Sequence, residues 1–182
     1  MLAVSVYGDI GVGKTSLVRA MCGLPPTEYE GTLGYDVKSQ RLNGEDIVWC
    51  DASGAERWRL FMPWLHQTKL VLVVYSVSSL ASWLNVPSWI QDARRWHTDA
   101  DVVVVGQIWP DQWRTVSHRR ASMACMLSQV PYIEIADDYS SLSEIVYHYA
   151  TLERPPLASI TAFQKFATTP SPARKRCRTF FC

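Results

Sequence analysis

The chain has 182 residues, of which 48% are hydrophobic and 19% charged, and its net charge is +1. This length and composition predict one globular domain and exclude a disordered or collagen-like chain. The longest apolar run, at 70–77, is too short for a membrane-spanning helix, which needs roughly 18 to 20 residues.

The basic residues are unevenly distributed along the chain. Residues 154–182 carry six of them and no acidic residue, which leaves residues 1–153 with a net charge of −5. We therefore expect a compact domain over residues 1–153 and a flexible basic tail over residues 154–182. Such a tail either contacts an anionic membrane surface or stays solvated. The charge pattern gives no indication of a nucleic-acid partner.

The cysteines and the N-terminus bear on the cellular compartment. Five cysteines without a C-x-x-C spacing support neither a disulfide framework nor a zinc site, so Cys22, Cys50 and Cys125 are predicted to be buried thiols. The first residues lack the basic start and the apolar stretch of a secretory signal. We expect a cytoplasmic protein, peripheral at a membrane if the tail binds one.

In chain order, short apolar runs alternate with segments of helical spacing. Strands are predicted at 2–7, 47–50, 70–77, 101–106 and 131–136. Within 37–49, Asn43-Gly44 separates two strand-like runs and predicts a tight hairpin, which places one antiparallel strand at a sheet edge. Apolar strands separated by helices indicate a parallel sheet covered on both faces, as in doubly wound α/β folds.

Two stretches have the spacing of amphipathic helices. Their apolar positions are Trp83, Val86, Ile90 and Ala93 in the first, and Leu142, Ile145, Val146, Tyr149 and Leu152 in the second. Pro87 lies inside the first stretch, so it predicts either a kink or a late start of that helix.

Residues 8–15 read GDIGVGKT, which matches the phosphate-loop pattern G-x-x-x-x-G-K-[ST] between a predicted strand and a predicted helix. The glycines let backbone N–H groups surround phosphate oxygens, and the helix that follows adds its positive N-terminal end. Lys14 supplies a cation, and the Thr15 hydroxyl is a magnesium ligand. The predicted phosphate-binding residues are Gly8, Gly11, Val12, Gly13, Lys14 and Thr15. The predicted fold is a three-layer α/β/α fold of the P-loop NTPase type, with a six-stranded, mostly parallel sheet and one antiparallel edge strand.

Two further segments follow the phosphate loop, YEGTLGYDV at 29–37 and WCDASGAERWR at 49–59. In this order and spacing, the motifs resemble those of the Ras superfamily of small GTPases, and its Rab branch in particular. The resemblance extends in element order over residues 1 to 153. It implies a GTP-binding switch or regulator of membrane trafficking or signalling, with Mg²⁺ as the cofactor and GDP as the product of turnover. We expect a monomer.

The resemblance also implies roles for individual residues. Thr32 closes over the terminal phosphate and binds magnesium with Thr15, while Asp51 holds the ion through water. Gly54 gives its backbone N–H to the terminal phosphate. Effector proteins are expected to bind residues 29–37 and 54–66.

Two departures from the family pattern predict slow or absent hydrolysis. Ala55 stands where the family has a glutamine that orients the attacking water, and a methyl group cannot orient water, so no residue is assigned as catalytic. Ile10 stands where the family has glycine or another small residue, and its branched side chain crowds the terminal phosphate and an arginine finger. Whether the chain is an enzyme stays open. The alternative is an interaction module that sequesters effectors or regulators without nucleotide cycling.

The guanine-reading motif departs as well. The family has N-K-x-D after this strand, but residues 106–111 read GQIWPD, with Pro110 in place of the aspartate. Loss of a charge-assisted base contact of this kind weakens guanine binding by roughly a hundredfold or more. Gln107 remains a nucleotide-binding candidate. Asp111 replaces the aspartate if the loop slips by one residue, and Trp109 is a candidate for stacking on the base.

Other positions also differ from the family pattern. Ala136-Asp137-Asp138 replaces a second base-contacting motif of small and basic residues. Cys50 stands where Rab proteins have an effector-contacting tryptophan, and Trp49 is expected on the opposite face of its strand. The ending RKRCRTFFC lacks a C-a-a-X box, which leaves Cys177 and Cys182 as the candidates for lipidation.

A small P-loop kinase or ATPase is a third hypothesis, because such enzymes share the phosphate loop. It requires an arginine-bearing lid, for which residues 114–120 are the candidate segment. A simpler interpretation of these arginines is the exposed start of a helix.

Overall fold

The computed structural model describes residues 1–26, 31–54, 68–136 and 138–151. Within these ranges, strands and helices alternate along the chain. In chain order they are β1 Leu2–Tyr7, α1 Lys14–Met21, β2 Tyr35–Leu42, β3 Glu45–Ala52, β4 Thr68–Ser76, α2 Leu80–Trp96, β5 Asp101–Gln107, α3 His118–Leu127, β6 Tyr132–Ile135 and α4 Ser140–Thr151.

The strands form one six-stranded sheet in the order β2-β3-β1-β4-β5-β6. Neighbouring strands are parallel except for β2, which pairs antiparallel with β3 at the edge of the sheet. The predicted six-stranded, mostly parallel sheet with one antiparallel edge strand is confirmed. Because parallel strands all end at the same edge, the loops that follow β1, β3, β4 and β5 lie near one another, where α/β folds bind their ligands.

The β2–β3 hairpin turns at Asn43 and Gly44, whose φ angles are 49° and 91°. A two-residue type I′ turn needs positive φ at both positions, which Asn-Gly adopts at low cost. Its geometry pairs Leu42 with Glu45 and continues the register to Tyr35 opposite Ala52. The predicted hairpin is therefore confirmed.

Helices cover both faces of the sheet, because alternate side chains of the buried strands point to opposite sides. On β4, Leu70 and Leu72 pack into a cluster with α1 and α4, whereas Val71 and Val73 pack into a second cluster with α2 and α3. All four are fully buried, and each contributes roughly 1.5–3 kcal/mol relative to an exposed side chain. The three-layer α/β/α architecture is confirmed.

Helix α2 begins earlier than the proline in its sequence suggests. Ser79 caps it by accepting a hydrogen bond of 3.2 Å from the N–H of Ser82. Pro87 therefore lies inside the helix, and the alternative of a late start is wrong. The cap and the buried side chains of Trp83 and Trp89 stabilise a helix that tolerates the missing N–H of the proline.

The cysteines follow the prediction in part. Cys50 and Cys125 are buried, but Cys22 is only half-buried because it lies at the C-terminal end of α1. In the described ranges, no helix has the length and hydropathy needed to cross a membrane.

Candidate functional site

The loop between β1 and α1 has a backbone that requires glycine at its end. Gly13, which precedes the first residue of α1, has a φ of 98°, a left-handed conformation that other residues rarely adopt. A Cβ atom at this position would lie 2.7 Å from Cζ2 of Trp109. The indole ring therefore packs directly against the loop, and only glycine fits beneath it.

Lys14 opens α1 with a side chain that is only 6% exposed. Its Nζ donates a hydrogen bond of 2.7 Å to the backbone oxygen of Asp9. Burial lowers the pKa of Lys14 to about 8, although the nearby carboxylates of Asp51 and Asp9 oppose the shift. A buried cation at the positive end of a helix provides two interactions that favour an anion such as phosphate.

Three oxygen-bearing side chains meet beside this lysine. The Thr15 hydroxyl donates a hydrogen bond of 2.5 Å to Oδ2 of Asp51, and the Thr32 hydroxyl lies 3.2 Å from that of Thr15. Thr32 also reaches Oδ2 of Asp51 at 3.4 Å. The segment that carries Thr32 is attached to the end of β3 by a backbone hydrogen bond of 2.8 Å from Ser53 to Gly34. The fold therefore brings together the three predicted metal-binding residues.

The Asp51 carboxylate has bonding capacity left over. It is fully buried, and its Oδ1 has no hydrogen-bond partner among the described residues. Burial raises its pKa, while the hydroxyl of Thr15 and the charge of Lys14 act in the opposite direction. Two hydroxyls around a buried carboxylate match the oxygen ligands that Mg²⁺ prefers. The described residues contain no cluster of three His, Cys, Asp or Glu side chains that would favour a different metal.

Gly54 lies against the phosphate loop at the end of β3. A Cβ atom on Gly54 would lie 2.4 Å from the backbone nitrogen of Ile10 and 2.5 Å from the carbonyl carbon of Asp9. Any side chain would therefore collide with the loop backbone. This contact explains why the position is glycine, and it places the backbone of Gly54 beside the loop, as its predicted role requires.

Two other loop residues have opposite environments. Val12 is 3% exposed and belongs to the core, so only its backbone is available to a ligand. Ile10 is 62% exposed at the tip of the loop. A cavity of about 530 Å³ adjoins the loop on the side of α2, with Ile10 and Trp109 in its lining.

The loop after β5 is the second part of the site. Gln107 ends β5 with a side chain only 1% exposed, and its Cγ would lie 3.5 Å from a Cβ on Gly13. Pro110 follows within a β-turn closed by a hydrogen bond of 3.2 Å from the N–H of Gln112 to the oxygen of Trp109. Asp111 lies at the exposed tip of this turn. The structure thus brings Gln107 to the phosphate loop but leaves Asp111 in solvent.

Flanking contacts oppose the one-residue slip that would bring Asp111 to the position of Pro110. Upstream, the N–H of Ile108 donates to the oxygen of Ile135 at 2.7 Å. Downstream, Arg114 makes two hydrogen bonds to the Glu134 carboxylate, at 2.8 and 2.7 Å. Of the three arginines at 114–120, Arg119 and Arg120 lie in the exposed first turn of α3, as expected, whereas Arg114 precedes that helix and pairs with Glu134.

A connection that the sequence did not predict holds the phosphate loop to α2. The Asp9 carboxylate accepts hydrogen bonds of 2.7 Å from the side-chain nitrogens of Asn85 and Trp89. The loop pattern allows any residue at position 9, so it carries no signal for this contact. Finding it required knowing that Asn85 and Trp89 face the loop from the next helix along the sheet.

Some of the remaining predictions concern residues that the structure describes, and the others concern residues outside the described ranges. Cys50 is 2% exposed, and Trp49 is fully buried in the core beside α1 and α4. Oδ1 of Asp138 accepts a hydrogen bond of 2.9 Å from the N–H of Ser140 at the start of α4. Ala55, residues 27–30, most of 54–66, Asp137 and residues 152–182 lie outside the described residues, so the predictions made for them stay predictions.

Comparison with known proteins places this geometry in a family. A model described as the Ras family matches residues 3–152. Ras-related protein RabF1 of Dictyostelium discoideum is 33% identical over 103 residues, which cover 54% of each chain. Ras-related protein Rab-30 of Homo sapiens is 27% identical over 143 residues, covering 74% of this chain and 70% of the relative. The match to RabF1 thus spans about half of that protein's length. The chain belongs to the Ras family and is a Rab-like member of this superfamily of small GTPases.

Proposed function

We propose that the chain is a Rab-like switch that binds GTP with magnesium, hydrolyses it slowly, and regulates membrane trafficking or signalling through partner binding. The single observation that carries this proposal is the meeting of Thr15, Thr32 and Asp51 beside the buried Lys14. The three residues come from α1, from the segment before β2 and from β3. Their convergence favours a site that senses the terminal phosphate of a bound triphosphate.

In this proposal, the phosphates are bound by backbone and side-chain groups of the phosphate loop and of α1. The backbone of residues 8–13 and the N-terminal end of α1 surround the phosphates, and Lys14 neutralises their charge. Nζ of Lys14 donates a hydrogen bond of 2.7 Å to the backbone oxygen of Asp9, which keeps the lysine beside the loop. Burial lowers the pKa of Lys14, so a bound anion would offset part of this cost by stabilising the charged form.

Thr15 and Thr32 would hold Mg²⁺ through their hydroxyls, and Asp51 through water. A bound Mg²⁺ neutralises phosphate charge and links the triphosphate to both hydroxyl-bearing segments. The unpaired Oδ1 of Asp51 supplies the acceptor that a water ligand needs. Because Thr32 lies three residues before the start of β2, its position influences the shape of residues 31–37.

Residues 31–37 also supply a surface for partners. Leu33, Tyr35 and Val37 are 75%, 55% and 49% exposed, at and before the edge strand β2. Alternation along the strand puts Tyr35 and Val37 on one face. We propose that effectors bind these residues together with part of 54–66. We further propose that the chain is a monomer in the cytoplasm and that its basic tail brings it to an anionic membrane surface.

Slow hydrolysis is proposed from Ile10 and Ala55. We expect the exposed side chain of Ile10 to lie beside the terminal phosphate, and Ala55 offers no group that orients water. The second candidate function, an interaction module that does not cycle, is favoured by the same exposed isoleucine together with Pro110. The two functions differ in whether bound GTP is ever converted to GDP.

Nucleotide binding is tested first by chromatography, which identifies any nucleotide that copurifies with the full chain. The nucleotide-free protein is then titrated with fluorescent GTP. We expect binding that requires Mg²⁺ and is lost in Lys14→Ala and Thr15→Ala. The matched control is Ser16→Ala, the exposed neighbour of Thr15, which should bind as the parent does. A protein that purifies empty and ignores added triphosphate and Mg²⁺ contradicts the proposal.

Single-turnover hydrolysis separates the two functions. The slow switch converts bound GTP to GDP over hours, and the double substitution Ile10→Gly with Ala55→Gln accelerates this conversion by roughly tenfold or more. No conversion in either protein, with binding intact, assigns the chain to the non-cycling module. A parent that hydrolyses as fast as the double variant contradicts the roles given to Ile10 and Ala55.

A further inference from the structure

The order of the strands indicates where the base of a bound nucleotide lies; this step rests on the proposed function. The phosphate loop follows β1, and Asp51 and Gly54 lie on or directly after β3, which is the neighbour of β1 on one side. The strands β4 and β5 lie on the other side. A triphosphate whose terminal phosphate faces Asp51 and Gly54 therefore extends its nucleoside toward β5, where Gln107 ends the strand.

Gln107 is a buried amide with unused bonding capacity. It is 1% exposed, its Oε1 has no hydrogen-bond partner among the described residues, and its Nε2 reaches the oxygen of Ile108 only at 3.5 Å. A buried polar atom without a partner is costly and usually marks a ligand or an ordered water. Its Cγ is 3.5 Å from the position that a Cβ on Gly13 would take, so the side chain lies beside the phosphate loop, where a nucleoside would approach.

The chemistry of this amide does not distinguish adenine from guanine. An amide offers one donor group and one acceptor, and a 180° turn exchanges them. In one orientation it pairs with N7 and the 6-amino group of adenine, and in the other it donates to the 6-oxo group of guanine. Gln107 alone therefore accepts either purine.

Selecting guanine requires an acceptor for its N1–H and 2-amino groups, and Pro110 stands where the family has the carboxylate that accepts from both. Pro110 has neither a side-chain acceptor nor an N–H. Asp111 lies at the tip of a turn whose flanks are fixed by the Arg114–Glu134 pair. The Asp138 carboxylate accepts the N–H of Ser140 at the start of α4.

From these observations we propose that the site takes purine nucleoside triphosphates without selecting guanine, with the Gln107 amide as the group that reads the base. ATP and GTP then compete for the same phosphate loop. The chain responds to the total concentration of purine triphosphate, which sets it apart from a switch that reads GTP alone.

Calorimetric titration of the nucleotide-free full chain with ATP and with GTP, each in excess Mg²⁺, tests the proposal. We expect dissociation constants that differ by less than about tenfold. A preference of tenfold or more for either purine overturns the inference but leaves the proposed nucleotide site intact. Absence of binding by both, in the parent as in Lys14→Ala, contradicts the proposed function itself.

Two substitutions test the residues. Pro110→Asp supplies the missing carboxylate, and aspartate is compatible with this position of a β-turn, so it should improve GTP binding by roughly tenfold and leave ATP binding unchanged. Its control is Asp111→Asn, which removes the adjacent acid and should alter neither affinity. If Asp111→Asn weakens GTP binding selectively, Asp111 reads guanine and the proposal is wrong.

Gln107→Leu replaces the amide with a side chain of similar size that forms no hydrogen bond. Both affinities should fall by roughly tenfold, because both purines lose the same contact. A melting curve of the nucleotide-free variant checks that it is folded, and the more conservative Gln107→Asn should retain part of the binding. Unchanged affinities in a folded Gln107→Leu protein rule out base recognition by this amide.

Discussion

Oδ2 of Asp51 accepts a hydrogen bond of 2.5 Å from the hydroxyl of Thr15, which joins the first turn of α1 to the end of β3. The contact spans neighbouring strands of the sheet, because β1 leads into the phosphate loop and pairs with β3 up to Val6 opposite Asp51. The other oxygen of the same carboxylate is buried without a partner in the described residues. One oxygen therefore orients the carboxylate, and the other stays available for a water ligand of a cation.

Asp51→Asn should change stability and magnesium response in opposite directions. Burial raises the pKa of Asp51, so the folded protein holds this proton more tightly than the unfolded chain. The resulting penalty is present at neutral pH and disappears as the pH falls. Asparagine avoids it, so the nucleotide-free variant in EDTA should be more stable by about 1 kcal/mol in urea unfolding. The gain in nucleotide affinity that Mg²⁺ gives the parent should be lost.

Asp36→Asn is the matched control, since Asp36 pairs with Asp51 across the hairpin but is exposed. It should leave both stability and the magnesium response as in the parent. An Asp51→Asn protein that retains the full effect of Mg²⁺ on affinity would falsify the assignment of this carboxylate to the metal site.

The lowered pKa of Lys14 predicts a pH dependence of nucleotide binding. The free protein loses the Lys14 proton as the pH rises through about 8, whereas a bound triphosphate favours the charged form. Affinity for GTP with Mg²⁺ should therefore be constant below pH 7 and fall by roughly tenfold at pH 9. Fluorescence titrations across this range measure the effect.

The same lysine affects unfolding with the opposite sign. From about pH 8 upward to the ordinary pKa of lysine, the unfolded chain holds the proton that the folded chain has lost. The nucleotide-free protein should therefore gain stability from this residue over the interval in which its affinity falls. Affinity that stays constant up to pH 9 contradicts a depressed Lys14 pKa.

Most of the fold followed from local sequence patterns. Leu70–Val74 is apolar at every position, which distinguishes a strand buried on both faces from an edge strand, and Asn43-Gly44 specifies its own turn. The start of α2 was harder to predict, because the cap at Ser79 and the proline at 87 give conflicting signals. The buried tryptophans of that helix decide between them, and their burial depends on tertiary packing.

The candidate site, like the fold, could be predicted from the sequence only in part. The phosphate loop is contiguous in sequence, so its residues could be identified from their spacing. The hydrogen bonds from Asn85 and Trp89 to Asp9 join residues more than 75 positions apart and have no motif. The unpaired Oε1 of Gln107 could not be predicted either, because whether a buried oxygen has a partner depends on the residues around it in three dimensions.

Asp9→Ala should loosen the phosphate loop. It removes the acceptor for two hydrogen bonds of 2.7 Å, which come from the side-chain nitrogens of Asn85 and Trp89. Loss of such bonds costs roughly 1–3 kcal/mol, and nucleotide affinity should fall along with stability because the loop backbone no longer has a fixed shape. Asp111→Ala, a truncation at an exposed turn of the same sheet edge, serves as control in both assays. Equal affinities of parent and Asp9→Ala would show that α2 does not position the loop.

Glu134→Gln should destabilise the loop that follows β5. Its carboxylate binds Arg114 at two positions and accepts the hydroxyl of Tyr132 at 2.6 Å, and the side chains of Arg114 and Glu134 are 35% and 12% exposed. Partial exposure weakens the pair, so the expected loss in free energy of unfolding, measured in urea, is about 1–2 kcal/mol.

The control is Asp46→Asn, which breaks the contact of Asp46 with Arg41. That contact is 3.9 Å long and joins two side chains that are 74% and 69% exposed, so its loss should have no measurable effect. Because the Arg114–Glu134 pair holds the end of the loop after β5, Glu134→Gln should also weaken ATP and GTP binding equally. A loss confined to one purine would show that the loop contains a selective contact.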